Sequence, residues 1–146
     1  GECIRACPTG AIQPGATSLD GFWTPQLNTR SGYCDFSCNA CGEVCPTEAI
    51  ARLALPEKQK TVIGRAVIDE KLCIPFAEGR ECIVCEEMCP IPEKAIVLDP
   101  GTTAKLPRVV RHLCTGCGIC QTKCAVRPER AIKVYSVRVT HGKELI

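Results

Sequence analysis

Large apolar side chains are scarce in this sequence. Of its 146 residues, three are Phe, two Tyr, one Trp and one Met. A chain of this length usually builds its core from such residues, so their scarcity implies that something besides an ordinary apolar core supplies much of the folding free energy. No apolar run approaches the ~18 to 20 residues that a spanning helix needs. Eighteen basic and 16 acidic residues leave a formal charge of +2. With neither a basic run nor an aromatic platform, this balance excludes a nucleic-acid surface and reads as a solvated exterior. A signal peptide and an initiator Met are also missing; the chain starts Gly-Glu-Cys inside what reads as a motif, so Gly1 is expected to be a truncation. There is no catalytic triad, acid–base pair or nucleotide-binding glycine fingerprint, since Gly116 and Gly118 lie in a cysteine loop. The chain is therefore not expected to be an enzyme by itself.

What the sequence has in abundance is cysteine, 14 in all, and they recur in blocks. Cys3 and Cys7 form the first. Cys34, Cys38, Cys41 and Cys45 form the second, Cys73, Cys82, Cys85 and Cys89 the third, and Cys114, Cys117, Cys120 and Cys124 the fourth. From the last cysteine of one block to the first of the next the steps are 27, 28 and 25 residues. Each block is followed by a related phrase, PTGAI at 8–12, PTEAI at 46–50, IPEKAIVL at 91–98 and RPERAIKVY at 127–135. The Ala-Ile pair with β-branched residues after it reads as a short strand, as do RAVIDEKL (65–72) and LPRVVRHL (106–113) before the third and fourth blocks. A helical turn fits between the third and fourth cysteines. The segments 13–30 and 99–105, rich in Pro, Gly, Thr and Asn, read as surface loops. The expected fold is α+β: repeats of strand, cysteine loop, short helix and strand, with small sheets and many loops.

The fourth block, Cys-x2-Cys-x2-Cys-x3-Cys, has the spacing of a bacterial iron–sulfur ferredoxin motif. In two-cluster ferredoxins three cysteines of such a run grip one cluster and the fourth ligates its neighbour. A disulfide scaffold explains an even count but gives no reason for Cys-x2-Cys-x3-Cys to repeat at a near-constant period. A four-cysteine zinc site normally uses two Cys-x2-Cys pairs separated by a longer loop, not four thiols in one run. All 14 cysteines are thus expected to ligate 4Fe–4S clusters. Three motifs have all four of their cysteines. The half motif at Cys3 and Cys7 is expected to belong to a fourth cluster, completed by residues upstream of Gly1.

The motif order, GYCDFSCNACGEVCPTEAI (32–50), AVIDEKLCIPFAEGRECIVCEEMCPIPEKAI (66–96) and CTGCGICQTKC (114–124), resembles the ferredoxin-type electron-transfer proteins of the MauM/NapG group. The resemblance covers nearly the whole chain, and the long first gap of the third motif, from Cys73 to Cys82, is its most specific piece. The three residues between Cys34 and Cys38 and the Ala125 after Cys124 depart from the usual pattern without removing a ligand. The resemblance implies one polyferredoxin domain over 1–146, built of two paired ferredoxin-like modules and carrying four 4Fe–4S clusters. It implies relay of single electrons between redox partners, a quinol-linked membrane protein on one side and a terminal oxidoreductase or cytochrome on the other. A periplasmic or membrane-associated setting follows from the resemblance alone. The rival reading is the iron–sulfur wiring domain of a larger oxidoreductase; a sensor or structural module has no use for several clusters in series.

Two pairings of the motifs are open. The sequential one joins first to second and third to fourth, and suits the strand-rich stretch 65–139. The nested one, found in the iron–sulfur subunits of molybdenum oxidoreductases that this family is similar to, is the one expected. It would group Cys34, Cys38 and Cys41 with Cys89, Cys73, Cys82 and Cys85 with Cys45, and Cys114, Cys117 and Cys120 with Cys7, leaving Cys3 and Cys124. The insertion 74–81 reads either as a docking loop or as a tolerated surface excursion. Trp23 reads as a lid over a small core, and His112 and His141 as surface or strand-end residues.

Overall fold

The cysteine loops cut the chain into short elements, and among the described residues no strand or helix exceeds six residues. The computed structural model describes residues 1–15, 24–140 and 143–145. They fall into two units, Gly1–Thr61 and Val62–Ile146, and every sheet among the described residues has two strands. This is the α+β, loop-rich, ferredoxin-like architecture that the repeats imply.

In the first unit, helix α1 (Glu2–Ala6) is followed by strand β1 (Ile12–Pro14), which pairs antiparallel with β2 (Pro25–Leu27) in the register Ile12 to Leu27. Part of the segment expected to be loop is therefore a hairpin. Trp23 lies outside the described residues. Helix α2 (Ala40–Glu43) occupies the expected turn between Cys41 and Cys45. After Ala49-Ile50 the expected strand does not form; the chain enters helix α3 (Leu55–Lys60) instead. Pro56 in its first turn fits a helix start, and the Glu57 carboxylate accepts the Ala54 amide at 3.2 Å. Strong helix formers fill the remainder. From α3, Lys58 Nζ donates to the Asp35 carbonyl and Gln59 Nε2 to the Phe36 carbonyl, which pins the start of the second cysteine loop.

In the second unit, β3 (Gly64–Ile68) pairs antiparallel with β6 (Ile132–Ser136), and β4 (Ile96–Asp99) with β5 (Leu106–Val109). Helices α4 (Ile74–Glu78), α5 (Val84–Glu87) and α6 (Ile119–Lys123) lie within the third and fourth cysteine blocks, and a terminal hairpin joins β7 (Arg138–Thr140) to β8 (Lys143–Leu145). Strands β3 and β5 are shorter than their sequence pattern implies because the backbone turns into each cysteine loop. The Asp69 carbonyl accepts the Cys73 amide at 3.0 Å, and the Val110 carbonyl accepts the Cys114 amide at 3.2 Å. Each of the sheets β3–β6 and β4–β5 takes the strand before one cysteine block and the strand after another. Strand β3 leads into Cys73 and β6 follows Cys124; β4 follows Cys89 and β5 leads into Cys114.

The repeated Ala-Ile pair is the apolar core. Ala11 and Ile12, Ala95 and Ile96, and Ala131 and Ile132 are all nearly inaccessible, whereas Ala49 is exposed. Among the described residues the buried side chains are Ala, Ile, Cys, two prolines (Pro75 and Pro107) and one Gln, and none of the large ones is fully enclosed. In three of the four repeats the residue before Ala-Ile is left-handed: Gly10 at φ 66°, Glu48 at φ 54° and Lys94 at φ 53°.

Gly116, in the fourth cysteine loop, combines a left-handed backbone with a close approach to a neighbouring strand. Its φ is 77°, and a Cβ placed there would lie 2.3 Å from the backbone of Gly64 on β3. Gly116→Ala is expected to destabilise the protein by about 2 kcal/mol or more, through the cost of left-handed backbone and of overpacking. Chemical unfolding followed by circular dichroism measures this; an unchanged midpoint contradicts the close approach of the fourth cysteine loop to β3.

Candidate metal centres

Two recesses in the second unit hold eight of the cysteines. The first, about 370 Å³ measured out to its mouth, has Cys73, Cys82, Cys85 and Cys124 on its walls, among Ile68, Ile74, Val84, Pro107, Ala131 and Ile132. The second, about 320 Å³, is lined by Cys89, Cys114, Cys117 and Cys120, among Ala66, Ile91, Ala95, Ile96, Ile119 and Val134. Each combines three cysteines of one block with the fourth of the other. The short helices serve both recesses: α5 contains Cys85 and is followed by Cys89, and α6 contains Cys120 and is followed by Cys124.

Sheet pairing accounts for this exchange. Antiparallel β3 and β6 draw the end of the fourth block to the start of the third, and β4 and β5 draw the end of the third block to the start of the fourth. The first unit follows the same rule, because β1 follows Cys7 and β2 precedes Cys34. There Cys41 feels the charges of Cys34, Cys38 and Cys7. The arrangement is therefore sequential. Cys7, not Cys89, joins Cys34, Cys38 and Cys41; Cys124, not Cys45, joins the third block; and Cys89, not Cys7, joins the fourth. The nested sets fail because the antiparallel strand pairs form within each unit.

Local backbone shapes the loops. Gly118, left-handed at φ 86°, is the N-cap of α6, and Thr122 Oγ1 donates back to its carbonyl at 3.1 Å. The buried Gln121 accepts the Val134 amide at 2.7 Å, which ties α6 to β6. Arg65 donates to the Cys114 carbonyl, and the Ile63 amide to the Thr115 carbonyl at 2.9 Å. The insertion after Cys73 is a helix rather than an open loop. Cys73 is its N-cap, Pro75 is buried, and Ile74 faces the first recess. His112 lines neither recess, and His141 lies outside the described residues.

Cationic side chains close the far end of the cysteine loops, a feature that spacing alone does not reveal. Lys94 Nζ donates to the carbonyls of Glu86, Glu87 and Cys89 at 3.0, 3.1 and 3.2 Å. Arg130 Nη1 donates to the Cys124 carbonyl at 2.9 Å, and Arg127 donates to the same oxygen. In the first unit Arg52 Nη2 reaches the Glu43 carbonyl at 2.9 Å. The sequence signal, visible only in retrospect, is a cation just before Ala-Ile in the third and fourth repeats.

The donor set suits a sulfur-bound polynuclear group. All 14 cysteines are free thiols. In each recess the four cysteines are set among apolar side chains, with no His, Asp or Glu in the lining, a donor set of sulfur alone. Backbone amides also turn toward sulfur. At Cys7 burial works to raise the thiol, but the Thr9 hydroxyl and the amides of Ile12, Thr9 and Ala11 outweigh it and hold it below its ordinary value. The Ile50 amide, 3.4 Å from Cys45 Sγ, is the main cause lowering Cys45.

No family model matches the sequence. Curated relatives do. The methylamine utilization ferredoxin-type protein MauM of Methylorubrum extorquens is 33% identical over 142 residues, 92% of this chain and 63% of the relative. The ferredoxin-type protein NapG of Escherichia coli is 32% identical over 154 residues, 98% of this chain and 65% of its own length. The chain is a relative of the MauM and NapG ferredoxin-type proteins. NapG of Haemophilus influenzae aligns at 28% identity over 97% of the chain and 53% of the relative. The chain thus spans between about half and two thirds of the length of these MauM and NapG proteins.

The recesses of this MauM/NapG relative raise their thiols. Burial first, then the neighbouring thiolates of Cys82 and Cys124, push Cys73 up to about 11. Burial with Cys73, Cys82 and Cys124 pushes Cys85 up to about 12, and burial with Cys117, Cys114 and Cys85 pushes Cys120 up further. In the metal-free chain the folded state holds these protons more tightly than the unfolded state, whose thiols titrate near 9.0. Their contribution to stability is therefore fully present below pH 9 and is lost as pH rises through about 11 to 12. Denaturant unfolding of the metal-free protein at successive alkaline pH values is expected to show the midpoint falling over that window; a rising midpoint contradicts the burial of these thiols.

Proposed function

We propose that this chain is an iron–sulfur electron-transfer protein that relays single electrons through 4Fe–4S clusters and catalyses no reaction by itself. The observation that carries this reading is the exchange of the fourth cysteine between two adjoining recesses. Three ligand sets are assigned: Cys7 with Cys34, Cys38 and Cys41; Cys124 with Cys73, Cys82 and Cys85; and Cys89 with Cys114, Cys117 and Cys120. Cys3 and Cys45 hold the corresponding repeat positions of a fourth site, which two further ligands would complete. Bound clusters supply one-electron redox chemistry. The chain's part is to hold the thiolates, keep water out with apolar walls, and keep the sites close. Cys85 of one recess and Cys89 of the other lie four residues apart on and just after α5, so an electron has a short passage between the two sites.

The likeness to MauM and NapG over most of the chain supports the same reading. The partners belong to the proposal: a quinol-linked membrane protein and a terminal oxidoreductase or cytochrome, in a periplasmic or membrane-associated assembly. None of the described helices is long and apolar enough to cross a membrane, so membrane attachment on this reading comes from a partner or from sequence outside the described residues.

Anaerobically reconstituted protein is expected to contain iron and acid-labile sulfide in equal amounts and to give the low-temperature EPR spectrum of reduced, mutually interacting clusters. Zinc bound without sulfide overturns the reading. Cys124→Ser is expected to alter the signal of the third-motif centre and Cys7→Ser that of the second-motif centre. If Cys7→Ser instead perturbs the fourth-motif centre, the ligand sets are wrong.

A further inference from the structure

The two recesses of the second unit are built on one plan, and each has a cation hydrogen-bonded to the carbonyl of its exchanged cysteine. Lys94 is the clearer case. Its ammonium group gathers three carbonyls, those of Glu86, Glu87 and Cys89, so three oxygen dipoles converge on one charge immediately behind a lining residue of the second recess. Its own backbone is left-handed at φ 53°, a conformation that costs a non-glycine residue free energy and that asparagine or glycine would take more easily. A helix of four residues does not need a charged side chain for its C-terminal carbonyls, which water or a glycine turn would satisfy. Lys94 is held away from full exposure, and its nearest carboxylate oxygen, on Glu86, is 4.0 Å away, longer than its three carbonyl contacts. Its charge is thus only partly neutralised.

The position occupied by Lys94 recurs immediately before Ala-Ile as Gly10, Glu48, Lys94 and Arg130, so its charge runs neutral, negative, positive, positive along the chain. The loop from the last cysteine to this position is longer in the second unit: three residues separate Cys7 from Gly10 and Cys45 from Glu48 in numbering, against five from Cys89 to Lys94 and six from Cys124 to Arg130. The extra length lets the side chain fold back on the cysteine carbonyl. The contacts of Arg130 and Arg127 with the Cys124 carbonyl repeat the device at the first recess.

Resting on the electron-transfer reading above, we propose that Lys94 and Arg130 are positioning residues that set the reduction potentials of the two second-unit centres. A centre that gains one electron becomes more negative by one charge, and no atom leaves. A fixed cation beside a ligand's backbone stabilises that reduced state more than the oxidised one, and raises the potential. Lys94 acts on the centre of Cys89, Cys114, Cys117 and Cys120; Arg130 acts on that of Cys73, Cys82, Cys85 and Cys124. Neither touches sulfur in this arrangement.

The test is EPR-monitored redox titration with dithionite of the full-length, cluster-loaded chain and of Lys94→Met, Lys94→Arg and Arg130→Met. Lys94→Met keeps a Cβ and an unbranched apolar stem, so it removes charge and donor alone. It is expected to lower the reduction equilibrium constant of the fourth-motif centre by about tenfold, 59 mV for a one-electron couple, with a smaller shift at the other centre. Lys94→Arg restores the native value, and Arg130→Met shifts the third-motif centre instead. Potentials unchanged in both Met variants, with iron, sulfide and EPR signals intact, overturn this proposal and leave the electron-transfer reading standing; Lys94 is then a helix cap whose loss appears only in thermal stability. Wild-type protein that takes up no iron and sulfide overturns the reading itself.

Discussion

Sulfur placement is the constraint on which the rest of this structure depends. Each recess of the second unit draws its four cysteines from two blocks, and the eleven residues from Cys114 to Cys124 do not wrap one recess with all four of their own. The fourth cysteine of each block must therefore reach a neighbouring site, and that demand ties two blocks into one unit. The small core follows from it. With Ala and Ile pairs as the main buried apolar residues, hydrophobic burial is modest, while burial of the thiols first, and the charge of their neighbours second, pushes Cys73 and Cys85 far above their ordinary range. Such burial disfavours the thiolate in the metal-free chain, a cost that metal binding would offset.

The elements around the recesses are economical in what they ask of the backbone. Two-stranded sheets of three to five residues are marginal by themselves, yet β1–β2, β3–β6 and β4–β5 each bring one block's end to another's beginning. Four-residue and five-residue helices carry the third cysteine of one site and deliver the fourth to the next. Carbonyls left open at those helix ends are taken by Lys94, Arg127 and Arg130, so the satisfaction of backbone polarity and the electrostatics of the sites are handled by the same side chains.

Much of this was legible in the residues. The spacing of cysteines pointed to iron–sulfur sites, and the period of the blocks to repeats of strand, loop, helix and strand. Strands after Ile96 and Ile132 follow from β-branched residues next to a buried Ala-Ile pair. The strand expected after Ile50 does not form, because Pro56 and the helix-forming residues after it give that segment another use. The hairpin of β1 and β2 was hidden by proline and glycine, which read as loop. Lys94 and Arg130 were invisible as site residues, since nothing in spacing tells a solvated cation from one folded back on a carbonyl.

Sequence alone determined the chemistry, because a thiolate two or three residues from the next has few other uses and local spacing sets which three sulfurs face one point. It did not determine the partner of those three. That choice belongs to strand pairing, across 64 residues between Ile68 and Ile132 and across 13 between Ile96 and Val109, where the hydrogen-bonded register rather than the spacing within a block carries one block to another. Nested and sequential linkage satisfy the same cysteine count. Only the tertiary structure, by pairing β3 with β6 and β4 with β5, settles that Cys124 faces Cys73 and Cys89 faces Cys114.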